Sequence, residues 1–163
     1  MKTQNNTIKI KSARLFLSFF GVGFAPKAPG TFGSAATLPL LYLFGLYSNI
    51  YTLAIFTVVL FIASVFIAEY AQNELHVHDP GWIVMDEVLG MLVTYMFVFP
   101  SLDFIELFLV FVIFRFFDII KIWPASYFDK KIKHGLGTII DDVISAIYAG
   151  IVVLLVKNYY LIN

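Results

Sequence analysis

The sequence contains no cysteine and few charged residues, and both deficits limit what the chain can be. Without cysteine there are no disulfides, no thiolate metal ligands and no cysteine nucleophile. Charged residues make up only 13% of the 163 residues, whereas an average soluble domain has about 25%. The formal net charge is +0. The basic field typical of nucleic-acid binding is therefore absent, and we expect no nucleic-acid partner.

Apolar side chains, in contrast, are abundant. Hydrophobic residues account for 60% of the sequence, and the mean hydropathy is +0.87. A chain of this length is expected to form a single domain, residues 1–163, and it cannot bury so much apolar surface in its own core. Lipid must therefore cover part of the surface, so the first predicted partner is a lipid bilayer.

Apolar segments of membrane-spanning character recur along the chain. They are predicted at residues 34–47, 50–68, 82–99, 104–122 and 141–159. The first two are separated at Ser48 and Asn49, and the first is short and contains Pro39, so its full insertion stays open. Residues 13–24 are apolar but too short to cross, so they could lie in the interface or re-enter the bilayer. The predicted fold class is all-α: a polytopic membrane helix bundle with about four to five membrane helices plus an interfacial N-terminal segment.

Basic residues are confined to two parts of the chain. Ten of the eleven Lys and Arg residues lie within residues 1–29 or 115–133, and Lys157 is the exception. Lys and Arg collect in cytoplasmic loops, so both parts are expected on the cytoplasmic side. Five crossings then place three polar segments, which hold nine of the eleven acids, on that same face. These segments are residues 21–34, 69–87 and 115–142.

Two pairs of adjacent acids are predicted to begin apolar helices. Asp86 and Glu87 open one helix, and Asp141 and Asp142 open another. The helix dipole favours acids at a helix N-terminus, which is the simpler explanation for one pair alone. Two pairs on one face would repel each other unless a cation lay between them. Oxygen ligands favour a hard ion such as Mg²⁺.

The segment 21–34 combines glycines and prolines with a lysine and two hydroxyl side chains. Thr31 or Ser34 could cap the following helix, and Lys27 adds a positive charge. Free backbone N–H groups from Gly30 onward would form an anion site at the helix N-terminus. The alternative is a stiff connector into the first apolar helix.

Arg115, Asp118 and Lys121 follow one another at intervals of three residues, which places them on one stripe of a helix. They could present two cations to phosphate oxygens, with Asp118 orienting one of them or binding metal. The alternative is intrahelical pairing combined with anchoring at the cytoplasmic surface. His78 and Asp79 could add a ligand or a proton relay, or lie in a solvated loop.

Taken together, four motifs resemble the phosphatidylglycerophosphatase A family of bacterial lipid phosphatases. They are Gly-Phe-Ala-Pro-Lys-Ala-Pro-Gly-Thr-Phe-Gly-Ser at 23–34, His-Asp then Ile-Val-Met-Asp-Glu-Val-Leu-Gly at 78–90, Phe-Arg-Phe-Phe-Asp then Lys at 114–121, and Gly-Leu-Gly-Thr-Ile-Ile-Asp-Asp at 135–142. The resemblance covers about residues 21–150. It implies an all-helical, Mg²⁺-dependent enzyme of the bacterial inner membrane that hydrolyses phosphatidylglycerophosphate to phosphatidylglycerol.

The resemblance and the chemistry of the side chains together suggest roles for individual residues. The expected Mg²⁺ ligands are Asp86, Glu87, Asp141 and Asp142. The expected phosphate-binding residues are Lys27, Gly30, Thr31, Ser34, Arg115 and Lys121. The expected catalytic residues are the four Mg²⁺ ligands together with His78, Asp79 and Asp118. The nucleophile is either a metal-activated water or an aspartate, Asp86 or Asp142.

Two other classes of function are compatible with a membrane protein that carries acids. Membrane carboxylates often mark ion paths, so the chain could be a transporter or an ion-conducting protein. Against this, the charges gather at one face, and no paired repeat is visible. An inactive structural subunit is the other alternative, and the density of motifs argues against it.

Overall fold

The computed structural model describes residues 2–132 and 134–162, and this part of the chain is helical, without a strand. The all-α prediction is confirmed. A short 3-10 turn, Val22–Phe24, lies between the first two helices. The helices are α1 (Lys2–Leu17), α2 (Pro29–Tyr47), α3 (Ile50–Leu75), α4 (Met85–Met96), α5 (Phe104–Ile120), α6 (Ala125–Lys131) and α7 (Gly135–Ile162).

Two of the helix starts are set by local capping. The predicted break at Ser48 and Asn49 separates α2 from α3, and Asn49 Oδ1 accepts the Thr52 N–H at 3.0 Å. Asp103 Oδ1 accepts the Ile105 N–H at 2.8 Å at the start of α5. Short polar side chains at these positions satisfy N–H groups that have no partner within the helix.

Helix α2 begins earlier than predicted. Its first residue is Pro29, inside the predicted loop, because proline at the first helical position lacks only an N–H that would have no partner. The residue before it, Ala28, makes no side-chain cap. The prediction that Thr31 or Ser34 caps this helix is therefore wrong. Ser34 Oγ instead donates to the carbonyl of Gly30 at 2.9 Å.

Helix α7 also begins earlier, at Gly135, so the prediction that it opens at Asp141 is wrong. The acid pair lies about 9 Å along the helix from its start. The cause is a tertiary contact: Glu69 Oε2 accepts the Gly135 N–H at 2.6 Å. Glu69 is available there because α3 continues past the predicted end, Ala68, to Leu75.

In the described ranges, two helices are long and apolar enough to cross a bilayer: α3 and the Gly135–Tyr160 part of α7. Only 17% of the most apolar window of α3 is buried, unlike a core helix of a soluble protein, which supports membrane association. The predicted crossing at 82–99 is helical only over Met85–Met96. That helix is about 18 Å long, shorter than a hydrocarbon core of about 30 Å.

Helix α4 lies at the centre of the bundle and contacts α2, α3, α5 and α7. The side chains with which it fills the core are fully buried: Val88, Leu89, Met91, Leu92 and Tyr95. Because α4 is surrounded, its first turn, which carries Asp86 and Glu87, meets the ends of several other helices.

We call that end of the bundle the site end. It comprises the N-termini of α2, α4 and α7 and the C-termini of α3 and α5. Helix α1 reaches it too, because the Leu17 carbonyl accepts the Val84 N–H at 3.0 Å just before α4. The Arg14 guanidinium lies 5.4 Å from the ring centroid of Trp82 on the same connection.

Lys157, the basic residue outside the two basic segments, lies at the opposite end of the bundle, which we call the far end. Lys157 Nζ lies 3.0 Å from Glu106 Oε2 and 3.4 Å from the carbonyl oxygen of Val98, which accepts a hydrogen bond from it. Glu106 is one of the two acids outside the polar segments. The two exceptions therefore neutralise each other.

Candidate active site

Three acidic side chains meet at the site end. Asp86 and Glu87 lie in the first turn of α4, and Asp142 lies in α7. One oxygen of each carboxylate lies within 4.8 Å of the others. The two predicted acid pairs thus meet, and Asp142 is the residue through which α7 joins the group. We call these three residues the acid group.

Arg115 of α5 lies between two carboxylates. Its Nη1 is 2.5 Å from Asp118 Oδ2 and 3.6 Å from Glu87 Oε1. Asp118 is buried, and its carboxyl group is within hydrogen-bonding reach of Asp142. The stripe predicted from the spacing is therefore present for Arg115 and Asp118, which join α5 to both halves of the acid group. Lys121 lies just past the last helical residue of α5, in a left-handed backbone conformation.

Lys121 ends α5 and connects it to α7. Its Nζ contacts Asp141 Oδ2 and lies 3.9 Å from Asp142 Oδ1. Asp141, predicted as a fourth metal ligand, lies beside this ammonium group and is not one of the three acids whose oxygens converge. The side chain of Lys121 is 27% exposed.

His78 and Asp79 lie in the exposed connection between α3 and α4. Together with Thr138 and Asp141 they line a narrow polar crevice at the start of α7. His78 Nδ1 is 3.4 Å from Gln72 Oε1. The structure therefore brings these two predicted residues to the side of the site where Asp141 lies.

Gly30 brings the first turn of α2 directly against the acid group. A Cβ atom at this position would overlap Glu87 Oε1, and it would lie 2.9 Å from Glu87 Cδ and 3.1 Å from Arg115 Nη1. Only a glycine allows the α2 backbone to approach these two side chains so closely.

The other residues of the predicted phosphate loop are less directly placed. The Thr31 N–H already donates to the Ala28 carbonyl at 3.0 Å, and the Ser34 hydroxyl is buried and used within α2. Lys27 lies on the exposed connection immediately before α2. Gly30 is thus the residue of this loop that the structure places in contact with the acid group.

Residues of α3 contribute contacts that the motifs did not reveal. Gln72 Nε2 donates to Thr138 Oγ1 at 2.8 Å, and both side chains are buried. In the sequence, Gln72 is followed by Asn73 and Glu74, which indicates a solvated helix end. A single polar residue that faces a distant helix leaves no local signal.

The excess of carboxylates and the buried polar atoms without hydrogen-bond partners favour binding of a cation and an anion at this site. Two cations, Arg115 and Lys121, face five carboxylates: Asp86, Glu87, Asp118, Asp141 and Asp142. Glu87 Oε2 is buried without a hydrogen-bond partner, and so is Arg115 Nε. Excess negative charge in a partly buried site is costly without a counter-ion. The oxygen-only acid group fits a hard divalent cation such as Mg²⁺.

Comparison with known proteins identifies the family. The family model for Phosphatidylglycerophosphatase A matches residues 15–157. The chain belongs to the phosphatidylglycerophosphatase A family. A Haemophilus influenzae protein named Phosphatidylglycerophosphatase A is 36% identical over 163 residues, which cover 98% of this chain and 99% of that protein. An Escherichia coli protein of the same name is 34% identical over 146 residues, covering 86% and 81%.

A Bacteroides thetaiotaomicron protein is 31% identical over 143 residues, covering 82% of this chain and 86% of that protein. It carries the name of a candidate phosphatidylinositol-3-phosphatase. No solved structure matches the chain. Membership of the phosphatidylglycerophosphatase A family confirms the resemblance carried by the four motifs and identifies the chain as a phosphatase enzyme. It gives no support to the transporter alternative.

Proposed function

We propose that this enzyme is a Mg²⁺-dependent phosphatase that hydrolyses phosphatidylglycerophosphate to phosphatidylglycerol and phosphate. The observation that carries the proposal is the acid group beside two cations, in a chain whose relatives are named for this activity. A phosphate monoester needs positive charge around its oxygens and an activated nucleophile, and this arrangement offers both.

Asp86, Glu87 and Asp142 are the residues that would hold Mg²⁺. Their converging oxygens and the unpartnered, buried Glu87 Oε2 support this assignment. When bound, the ion would offset the charge of the carboxylates and of the substrate phosphate. Asp141, also predicted as a ligand, is proposed to hold the Lys121 ammonium in place.

Arg115 and Lys121 are the proposed phosphate-binding cations. Arg115 Nε is buried and has no hydrogen-bond partner, so a donor is available to an anion. Asp118 contacts the same guanidinium group and would fix its orientation. Gly30 leaves room beside Arg115. Lys27 is proposed as the outer part of the phosphate site, and Thr31 and Ser34 as supports of the α2 turn that carries Gly30.

Water is the proposed nucleophile, and an aspartate that forms a phosphoenzyme is the second candidate. His78 and Asp79 line the crevice that leads to Asp141. We propose that they exchange a proton between the site and the solvent, because both are exposed and lie on the connection next to the acid group.

We further propose that the single domain, residues 1–163, is a multi-pass protein of the bacterial inner membrane with its site end in the cytoplasm. The basic segments flank the site end, and the exception, Lys157, is paired with Glu106. Helix α2 contacts α4 and α5, and α5 contacts α7. With α3 and α7, helices α2 and α5 would bring the number of membrane helices to four, within the predicted four to five. The phosphorylated headgroup could then reach the site while the acyl chains stay in the bilayer.

The test is phosphate release by purified protein in lipid nanodiscs during a Mg²⁺ titration. Asp86→Asn and Asp142→Asn are expected to lose about 100-fold or more in kcat, because each removes a metal ligand. Asp103→Asn is the matched control: the same chemical change at the far end, where asparagine still caps α5. Near wild-type rates in both site variants would refute the metal assignment. Phosphatidic acid and phosphatidylinositol 3-phosphate as rival substrates would test the headgroup.

A further inference from the structure

Polar side chains tie the end of α3 to the beginning of α7. Glu69 Oε2 accepts the Gly135 N–H at 2.6 Å, and Gln72 Nε2 donates to Thr138 Oγ1 at 2.8 Å. Gln72 is 7% exposed and Thr138 is 6% exposed. A buried amide and hydroxyl are costly unless they are paired, so this contact favours one relative position of the two helices.

That contact lies next to the acids of α7. Thr138 precedes Asp141 and Asp142 by about one turn, or roughly 5 Å along the helix axis. A bond at Thr138 therefore sets the height and rotation of α7 at the point where Asp142 joins the acid group. Helix α7 is also pressed onto α3 at its first residue, since a Cβ at Gly135 would lie 2.5 Å from the backbone nitrogen of Glu69.

The carbonyl oxygen of the Gln72 side chain faces the connection between α3 and α4. Gln72 Oε1 lies 3.4 Å from His78 Nδ1. His78, Thr138 and Asp141 line one crevice, so a single side chain reaches two walls of it. Gln72 does not line this crevice, but it lines the neighbouring pocket together with His78.

We propose that Gln72 is a positioning residue of this site. Through Thr138 it holds Asp142 within reach of Asp86 and Glu87, and through its carbonyl oxygen it holds His78 beside Asp141. The inference rests on the proposed metal-dependent phosphatase function. Groups that orient metal ligands typically change metal affinity or activity by about 10–100-fold when removed.

Variants with side chains of nearly the same shape test the hydrogen bond between Gln72 and Thr138. Gln72→Met and Thr138→Val each remove it with little change in side-chain volume, and Thr138→Ser keeps the hydroxyl. Thr57→Val is the matched control, because Thr57 is also a buried threonine, but its hydroxyl donates to the Leu53 carbonyl of its own helix, at 2.8 Å. If Gln72→Met fails to fold, the Thr138→Val and Thr138→Ser pair carries the test.

Full-length protein in nanodiscs is titrated with Mn²⁺, and binding is followed by electron paramagnetic resonance. The Mg²⁺ concentration for half-maximal phosphate release and the thermal midpoint are measured in parallel. Gln72→Met and Thr138→Val are expected to weaken Mn²⁺ binding about tenfold and to raise the half-saturating Mg²⁺ concentration equally. Thr138→Ser and Thr57→Val are expected within twofold of wild type. The Gln72→Met/Thr138→Val double variant should lose no more than the weaker-binding single variant, because the same bond is removed once.

Unchanged Mn²⁺ affinity in both single variants would overturn the proposal, as would a loss that Thr57→Val shares. A different result bears on the function itself. If the wild-type protein binds Mn²⁺ but releases no phosphate from phosphatidylglycerophosphate, the proposed substrate is wrong. The Mn²⁺ titrations still decide the role of Gln72 in that case, since they do not depend on turnover.

Discussion

Replacing Gly30 by alanine should disable the site without unfolding the protein. The added Cβ would overlap Glu87 Oε1, whereas ordinary contact begins at about 3.4 Å, so the carboxylate or α2 must move by more than about 1 Å. The obstacle is the far end of a flexible side chain, with no backbone atom among the three nearest. The cheapest relief is therefore a rotation of Glu87 away from Arg115 and out of the acid group.

A displacement of about 1 Å at a catalytic group can cost about 100-fold in rate, and we expect a loss in kcat of that size for Gly30→Ala. The thermal midpoint should fall by only a few degrees, corresponding to about 1 kcal/mol. The assay is phosphate release at saturating Mg²⁺, with the midpoint measured on the same nanodisc sample. Gly81→Ala is the matched control, because a Cβ at that exposed glycine meets nothing within 4 Å.

Two outcomes would refute this reasoning. The first is activity of Gly30→Ala within about threefold of wild type, which would mean that Glu87 can leave its place without consequence. The second is a large fall in the thermal midpoint of Gly30→Ala while Gly81→Ala stays stable. The close approach of α2 would then be a requirement of the fold rather than of the site.

Three further predictions concern the ion pairs of Arg115 at the site end, the Lys157–Glu106 ion pair at the far end, and the acid group. Arg115→Lys should lower kcat about tenfold or more in the phosphate-release assay, because one ammonium cannot replace a guanidinium that reaches both Asp118 and Glu87; an unchanged rate would show that any cation suffices. Lys157→Met should lower the thermal midpoint by an amount corresponding to about 1 kcal/mol or less and leave kcat unchanged, because its partner Glu106 lies at the far end; a kcat loss would couple the two ends. After chelation, added Mg²⁺ should restore phosphate release far better than Ca²⁺, since Ca²⁺ binds oxygens at roughly 2.3–2.6 Å and Mg²⁺ at roughly 2.0–2.1 Å; equal rescue would contradict a compact Mg²⁺ site.

The sequence predicted those parts of the fold and site that depend on local signals. Asn49 marked the turn between α2 and α3 because it caps a helix, and the i, i+3 spacing of Arg115 and Asp118 placed them on one helical face. The charge distribution also predicted which polar segments gather at one end. Asp86 and Glu87 begin α4 as predicted, because acids suit the first turn of a helix.

The parts that were missed depend on contacts between distant residues. Gly135 begins α7 because Glu69, 66 positions away, accepts its N–H, and nothing near Gly135 in sequence reveals that acceptor. The pairing of Gln72 with Thr138 spans the same separation. At Gly30 the sequence predicted a backbone N–H offered to phosphate, but not the close approach to Glu87 and Arg115 that the missing side chain allows.

The acid group is assembled from helices that are far apart in sequence, and this has a consequence for biogenesis. Asp86 and Glu87 lie on α4, and Asp142 lies on α7. A shift of α4 or α7 by one turn would displace these carboxylates by about 5.4 Å, more than the 4.8 Å within which the three oxygens now lie. On the proposed metal assignment, a chain with α4 or α7 out of register by one turn would lose at least as much activity as Asp86→Asn or Asp142→Asn. Phosphate release would then also report whether α4 and α7 have packed in the correct register.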